Sequence, residues 1–503
     1  MSLTRKLFSK KFFLVNLVLV GIMIGFVAAF TILARAPASE GPAIAHADTA
    51  PAFSVDEAGA ILQAKAIQSA FNQVSRSVLP SVVELDVLGT SAVEGSDQFP
   101  WRFFFGDPEQ APDEKPAPEE FEERGLGSGI IVRKDGKKVF ILTNNHVVAG
   151  AKEITVKLHD EREFTGAVVG TDTRRDLAVV SFESSDADIR PARLGDSDAL
   201  EVGDWAIAIG SPFGLFSSVT VGIVSAIGRD GGPEGNISDF IQTDASINRG
   251  NSGGALANID GEVIGINTWI ASTTGGSVGL GFSIPINNAV RVIEDIIAKG
   301  SVRYGWLGVL LSDLPKATLG ELGLGEKRGA FIGHVFTDGP AAKSGLKPGD
   351  FVTDIDGKSV ASLDQLVRIV GDLPVGAKAL FKLLRDAKPV EIKVTIDERK
   401  ETSAADYSKL WPGLEVTTLN KDLVEKAKLP KGTKGVIVTS VIAKSPAATL
   451  GIKIGDVLTA MNDTEIDGVA PYYRILNDTK AMKFQFTVLR DGQTLTTLAL
   501  IRK

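Results

Sequence analysis

From Ser81 onward the apolar residues come in short β-branched runs, cut at close intervals by Gly, Asp and Asn. The runs are Val82 to Val87, Gly129 to Arg133, Val139 to Thr143, Glu153 to Leu158, Leu177 to Phe182, Trp205 to Ile209, Gly222 to Ile227 and Val263 to Thr268. Many short strands at such spacing predict an all-β sandwich or a pair of barrels. Before them the period changes. Ile61, Ala64, Ile67, Phe71 and Val74 recur at helical spacing and predict a helix from Val55 to Val78, which Pro80 ends. A second helix is expected over Ile286 to Lys299, closing the β unit.

Val93 to Arg124 breaks the strand rhythm with Phe99, Trp101, Phe103, Phe104 and Phe105 followed by a Pro- and Glu-rich tail, and reads as a long surface loop. Its aromatics either pack locally on the barrels or contact another subunit. Downstream, Gly329, Pro340, Gly345, Gly349 and Asp350 recur as Gly435, Pro446, Gly451, Gly455 and Asp456 at a constant offset. Arg385-Asp386 recurs as Arg490-Asp491, one residue short of it. Two copies of one small domain are the simplest account. Each holds a strand, a Pro-Ala-Ala helix start, a Gly-Asp turn and another strand.

Length and charge narrow the class. At 503 residues with 44% hydrophobic content, the chain is long enough for about three globular domains. A net charge of −8 argues against nucleic acid as the main partner, and the absence of Cys excludes disulfides and thiolate metal sites. No cofactor or metal is expected. Arg5, Lys6, Lys10 and Lys11 precede an apolar run from Phe12 to Ala34, long enough to cross about 30 Å of hydrocarbon. The basic flank, residues 1–11, would stay cytoplasmic and everything after Arg35 would lie outside. The competing reading is a cleaved signal, because Ala45-His46-Ala47 resembles a cleavage site, although it lies well beyond the apolar run. Residues 35–53, rich in Ala and Pro, form a linker.

The chemistry centres on Ser252, in Asn248-Arg249-Gly250-Asn251-Ser252-Gly253-Gly254. A serine hydroxyl needs a base and donors for the oxyanion it creates, and glycines let the N–H groups of Gly250 and Ser252 converge on one point. Gly250, Ser252 and Gly254 also match the nucleophile elbow of α/β-hydrolases, but that fold needs its His after the Ser. Here His46, His146 and His159 precede Ser252, and His334 lies in the repeats. The order His, Asp, Ser is that of the chymotrypsin-like arrangement. His146 ends the strand Phe140 to Thr143 in a polar turn, and Asp176 opens the strand Leu177 to Val180. His159, among charged neighbours, is expected in solvent.

Thr143 to Val148, Asp176 to Val179, Ile241 to Ala245 and Asn248 to Gly254 resemble the HtrA (Do-like) serine proteases, and the likeness runs from about Ser77 to the C-terminus. It implies a mainly β chain: a chymotrypsin-like double β-barrel protease domain over 54–300, then α+β PDZ domains over 301–399 and 405–503, behind an N-terminal transmembrane helix. His146 is then the general base, Asp176 its orienting acid and Ser252 the nucleophile, with an oxyanion hole at Gly250, Asn251 and Ser252. The stretch 93–124 is similar to the family's long regulatory loop. The activity implied is an ATP-independent endopeptidase acting on unfolded or damaged proteins of a bacterial periplasm, with chaperone activity alongside, in trimers or multiples of trimers. The alternative is a non-proteolytic holdase or PDZ binder. A retained anchor beside two PDZ repeats departs from the family's usual pairing of two PDZ domains with a cleaved signal.

Gly305-Trp306-Leu307-Gly308 and Gly413-Leu414 resemble the carboxylate-binding loops of PDZ domains, which would take C-terminal peptides. His334 then borders the first peptide groove. The wall Ile266 to Ile270 is largely apolar and no acidic residue immediately precedes Ser252, which predicts cleavage after small aliphatic residues. Trp269 is expected to narrow that pocket.

Overall fold

The computed structural model describes residues 20–21, 23–24, 55–91, 121–211, 218–230, 232, 236–272, 275–426, 429–430, 432–478 and 483–501. Its contacts divide the chain into units of residues 1–68 and 69–503. Helix Val55–Val78 forms as expected, and its later apolar residues Val74 and Val78 are buried, whereas Ala64 and Ile67 on the same expected face are exposed. The apolar run from Phe12 to Ala34 lies outside the described residues except at four positions. Among the described residues no helix is long and apolar enough to cross a membrane.

Two closed six-stranded barrels follow. The first contains β1 (Val82–Ser91), β2 (Phe121–Asp135), β3 (Lys138–Thr143), β4 (Ala151–Lys157), β5 (Glu163–Asp172) and β6 (Leu177–Glu183), in the order β1-β2-β3-β6-β5-β4. The second contains β7 (Trp205–Gly210), β8 (Ser218–Arg229), β9 (Phe240–Thr243), β10 (Ala255–Ala257), β11 (Val263–Ile270) and β12 (Gly281–Pro285), in the order β10-β11-β12-β9-β8-β7. All eight runs expected from the sequence are strands. Four more were not anticipated: β5, interrupted by Gly166 and Gly170, and the short β9, β10 and β12. The expected loop 93–124 also ends earlier, because Phe121 to Arg124 pair with Ser91 to Leu88.

Both faces of several strands are buried, and alternation explains why. Ile131, Val139 and Ile141 fill the first barrel, while their neighbours Ile130, Phe140 and Leu142 point the other way, into a core shared with Ile207 and Ile209 of the second barrel. Ile286, Ala289, Val292, Ile293 and Ile296 of helix Ile286–Lys299 seal that shared core. The turns that carry His146, Asp176 and Ser252 emerge at this seam.

The two repeats each form a small sheet with helices, ordered around strands Ala330–Phe336 and Val436–Val441. The repeated Asp and Arg are partners in both copies. Arg385 holds Asp350 with two bonds of 2.7 Å, and Arg490 holds Asp456 in the same way; the spare guanidinium N–H groups donate to Gly345 O and Gly451 O, also at 2.7 Å. Burial pushes the Asp350 carboxyl up, against the pull of Arg385. The repeats share one apolar core, in which Leu324, Phe331 and Phe351 of the first pack with Trp411, Tyr472 and Tyr473 of the second.

Candidate active site and peptide-binding loops

Strand pairing brings the first two residues together. Thr143 of β3 lies opposite Ala178 of β6, so the turn after β3 and the turn before β6 are neighbours. His146 sits in a one-turn helix, Asn145–Val148, where the sequence suggested a plain turn. Its Nδ1 lies 2.7 Å from Asp176 Oδ2, and its backbone N–H donates to Asp176 Oδ1 at 2.9 Å. Asp176 has φ 54°, in the left-handed region that Asp tolerates better than most residues. Its carbonyl is tied down by Asn145 N at 3.1 Å and Asn144 Nδ2 at 2.9 Å. The carboxylate is therefore held at both oxygens and through its backbone.

Ser252 enters from the other barrel, just before β10, and Thr268 on the paired strand β11 connects it to the acid. The Ser252 hydroxyl donates to Thr268 O at 3.0 Å, and the Thr268 hydroxyl donates to Asp176 Oδ2 at 3.1 Å. His146, Asp176, Ser252 and Thr268 are all buried, at 8%, 5%, 2% and 0% exposure, which keeps their electrostatics from being screened by water. Thr268 was read from the sequence only as pocket wall. The signal was there: Asn267-Thr268 is a polar pair inside an otherwise apolar buried strand.

Ser128 of β2 fixes the loop that carries Ser252 and was missed altogether. Its N–H donates to Ser252 O at 2.8 Å and its hydroxyl to Gly250 O at 2.6 Å, while the same oxygen accepts Ser211 N–H at 2.8 Å. A Cβ on Gly253, whose φ is 83°, would collide with Ser128 O and Thr143 Oγ1, so only glycine lets the two barrels close here. The amides of Gly250 and Ser252 meet no hydrogen-bond acceptor among the described residues. Asn251 departs from expectation: its N–H donates to Asn248 O at 3.0 Å, so the turn consumes it and it is not an oxyanion donor.

Trp269 stacks on Phe282 with ring centroids 3.9 Å apart and meets Phe240 edge-on, which anchors it in an aromatic cluster. His159 is exposed, as expected.

The turn presenting Asp176 is also gripped from the first repeat. Tyr304 donates its hydroxyl to Asp172 Oδ2, and Asp172 Oδ1 accepts the N–H groups of Arg174 and Arg175 at 3.1 and 3.3 Å. Arg175 reaches Asp372, at the end of helix Leu363–Asp372, across 2.6 Å, and Arg291 donates to the Asp372 carbonyl at 2.6 Å. Burial pushes the Asp172 carboxyl up, and burial with the nearby Asp172 charge pushes the Tyr304 phenol up.

In the first repeat Gly305 and Trp306 form a short strand with Asp397–Glu398, and Trp306 packs on Phe336 with centroids 5.4 Å apart. Leu307 and Gly308 follow that strand and link it to the next. Gly308 has φ 75°, and the N–H groups of Leu307 and Gly308 carry no acceptor among the described residues. Strand Val309–Leu311 follows at the edge of its sheet. In the second repeat Gly413, with φ 80°, and Leu414 take the places of Gly308 and Val309. His334 lies on the neighbouring strand opposite Leu310, but is 1% exposed and faces Glu415 of the second repeat, 3.9 Å away. It is an interface residue rather than a groove residue.

A trypsin-like peptidase domain model matches residues 127–266, and a PDZ domain model matches 305–396 and 413–500. The periplasmic serine endoprotease DegP of Salmonella typhimurium is 38% identical over 437 residues, covering 83% of this chain and 89% of that protein. The periplasmic pH-dependent serine endoprotease DegQ of Escherichia coli is 39% identical over 399 residues, covering 79% and 84%. Among solved structures, an HtrA-type protease AlgW with a decapeptide matches at TM-score 0.53 and 38% identity, covering 66% of this chain and 99% of that one.

Proposed function

The chain belongs to the HtrA family of serine endoproteases, with DegP and DegQ among its relatives, and we propose that it cuts unfolded or damaged periplasmic proteins with Ser252, His146 and Asp176. The observation that carries this reading is the single bonded chain from Asp176 through Thr268 to Ser252, with His146 seated on the same carboxylate. With Nδ1–H given to Asp176, Nε2 is the nitrogen left to take a proton. Ser252 Oγ turns from Thr268 O to His146, loses its proton to Nε2 and bonds to the scissile carbonyl carbon. The oxygen becomes an oxyanion facing the N–H groups of Gly250 and Ser252. The proton then passes to the leaving amine as the C–N bond breaks, and water repeats the sequence on the acyl-enzyme. Ser252→Ala or His146→Ala should lower casein turnover on the order of 10⁶-fold, because the three residues act as a unit. A variant keeping more than about a hundredth of the rate would refute the assignment.

Several finer features belong to the same reading. The apolar segment Ile266 to Ile270 favours small aliphatic residues before the cut bond, which mass-spectrometric mapping of casein fragments would test. The loop Leu307-Gly308, with its unengaged amides beside an edge strand, suits a terminal carboxylate with the peptide added as a strand. Amidating the peptide should abolish that binding. The apolar run Phe12 to Ala34 supports retention in the inner membrane; a fully carbonate-soluble protein would refute it. Trimeric assembly and chaperone-like holding rest on the family alone.

A further inference from the structure

The equivalent strands of the two repeats are in different surroundings. Val309 and Leu311 sit opposite Val335 and Ile332, and Leu414 and Val416 sit opposite the matching residues Val441 and Val438. In the first repeat Val309 and Leu311 are only half-buried, whereas Leu414 and Val416 are 1% and 2% exposed. Against the core that holds the second pair pack Leu319, from helix Lys316–Glu321 of the first repeat, and Leu322 just after it.

That helix touches both lips of the second groove. On the strand side, Thr318 bonds Thr417 Oγ1 to Oγ1 at 2.8 Å and is itself fully buried; just before the helix, Ser312 donates to Glu415 at 2.5 Å. On the helix side, Glu321 Oε1 accepts the N–H of Val469, which begins helix Val469–Leu476, at 2.5 Å. Its other oxygen takes the hydroxyl of Thr418 on the strand. One carboxylate thus spans the groove, strand to helix. Leu319 and Leu322 pack on the apolar core that contains Leu414, Val416, Tyr472 and Tyr473. The cavity left beside the helix, lined by Leu322, Arg385, Tyr473 and Asn477 among others, is about 210 Å³. Ligand clefts start at about 300 Å³.

We propose that the peptide groove of the second PDZ domain is a docking site for the chain's own helix Lys316–Glu321, so that only the first PDZ domain binds a C-terminal peptide. Glu321 is the latch: its carboxylate satisfies an N-terminal amide of helix Val469–Leu476 and a strand hydroxyl together, and the leucines behind it exclude water. Releasing the helix uncovers Gly413-Leu414 and a second edge strand. This rests on reading the Gly-containing loops as carboxylate sites.

The chain has no cysteine, so a single engineered pair reports cleanly. In the full-length Ser252→Ala protein, Thr318→Cys with Thr417→Cys should oxidise to an intrachain disulfide, the two side chains already being in contact. Titration with a labelled peptide ending in Val with a free carboxylate should give one site per chain in the Ser252→Ala protein. With Glu321→Ala added it should give two, and amide exchange over residues 414–418 should speed up at least about tenfold, a 1.4 kcal/mol loosening. Adding the cysteine pair to Glu321→Ala should return the count to one when oxidised. Two sites in the Ser252→Ala protein, unchanged exchange on removing Glu321, or cysteines that pair only between chains would each overturn the proposal. A peptide that binds nowhere would sink the carboxylate reading of the first loop but not the docking, which the disulfide and the exchange measure without peptide.

Discussion

Ser128, in the first barrel, donates its backbone N–H to the carbonyl of Ser252, in the second, across 2.8 Å. With its hydroxyl on Gly250 O it holds both ends of the segment whose amides we propose as the oxyanion donors. The proposed nucleophile is carried by one barrel and the proposed base by the other, so their geometry holds only if the barrels cannot shift, and Ser128 ties the barrels beside Ser252.

Ser128→Ala should therefore damage chemistry more than binding. It strands Gly250 O and Ser211 N–H in a buried site, a loss of about 1–3 kcal/mol. Expressed in the transition state, that is a drop in kcat of roughly 10- to 100-fold with little change in KM. Steady-state kinetics on a peptide substrate check it; an equal rise in KM with kcat intact would show that Ser128 only supports substrate binding.

Thr268→Val keeps the shape of the strand and removes the hydroxyl that donates to Asp176. Hydrogen bonds to charged groups contribute about 1.5–3 kcal/mol, so kcat should fall by at least about tenfold as the carboxylate loses one of its restraints. Thermal unfolding should move little by comparison. A variant with wild-type kcat would show that the Thr268 hydroxyl is not needed to orient Asp176.

The Arg175–Asp372 pair is half buried: the Arg175 side chain is 3% exposed and that of Asp372 45%. Asp372→Ala leaves a buried guanidinium held by the Asn288 carbonyl and the neighbouring Asp172 charge but without its paired carboxylate, and should cost about 1–3 kcal/mol, between the surface and buried limits. Replacing both, Arg175→Met with Asp372→Ala, should recover most of that stability, because the unpaired charge goes too. Recovery should not extend to activity if the turn before Asp176 needs the grip of the first PDZ domain. Melting temperatures and casein rates of the three variants separate the two effects.

His334 supplies a pH dependence. Burial pushes its imidazole down to about 4 from an ordinary 6.5, and neither ring nitrogen is bonded among the described residues. The unfolded chain takes up this proton near 6.5 and the folded one only near 4. The stabilising difference is therefore intact above pH 6.5 and drains as the pH falls toward 4, by at most about 3 kcal/mol. Glu415, 3.9 Å from Nε2, attracts the protonated ring and makes the loss smaller. Comparing melting temperatures of wild type and His334→Gln between pH 4 and 7 should show the two curves parting as the pH falls. Parallel curves would mean that the ring is protonated in the folded protein at its ordinary value.

Much of the barrel pair was legible because alternation and turn residues are local: eight of the strands and both long helices of the protease part stand where the pattern puts them. The order His146, Asp176, Ser252 was legible too, since the chain's four His leave few candidates upstream of the serine. What the pattern could not supply were contacts made by register. Thr268 and Ser128 look like ordinary strand residues until β11 and β2 bring them to the seam, and Asn251 looks like an oxyanion donor until the turn claims its N–H. The repeats show the same division. Their offset announced two copies of one domain, and the recurring Asp350–Arg385 and Asp456–Arg490 pairs give it a physical reason, a buried carboxylate that needs its guanidinium. Sequence made the two grooves equivalent. Tertiary packing makes them unequal, because Leu319 and Leu322 leave water by packing on the apolar core of the second repeat, and no local pattern records where a helix docks.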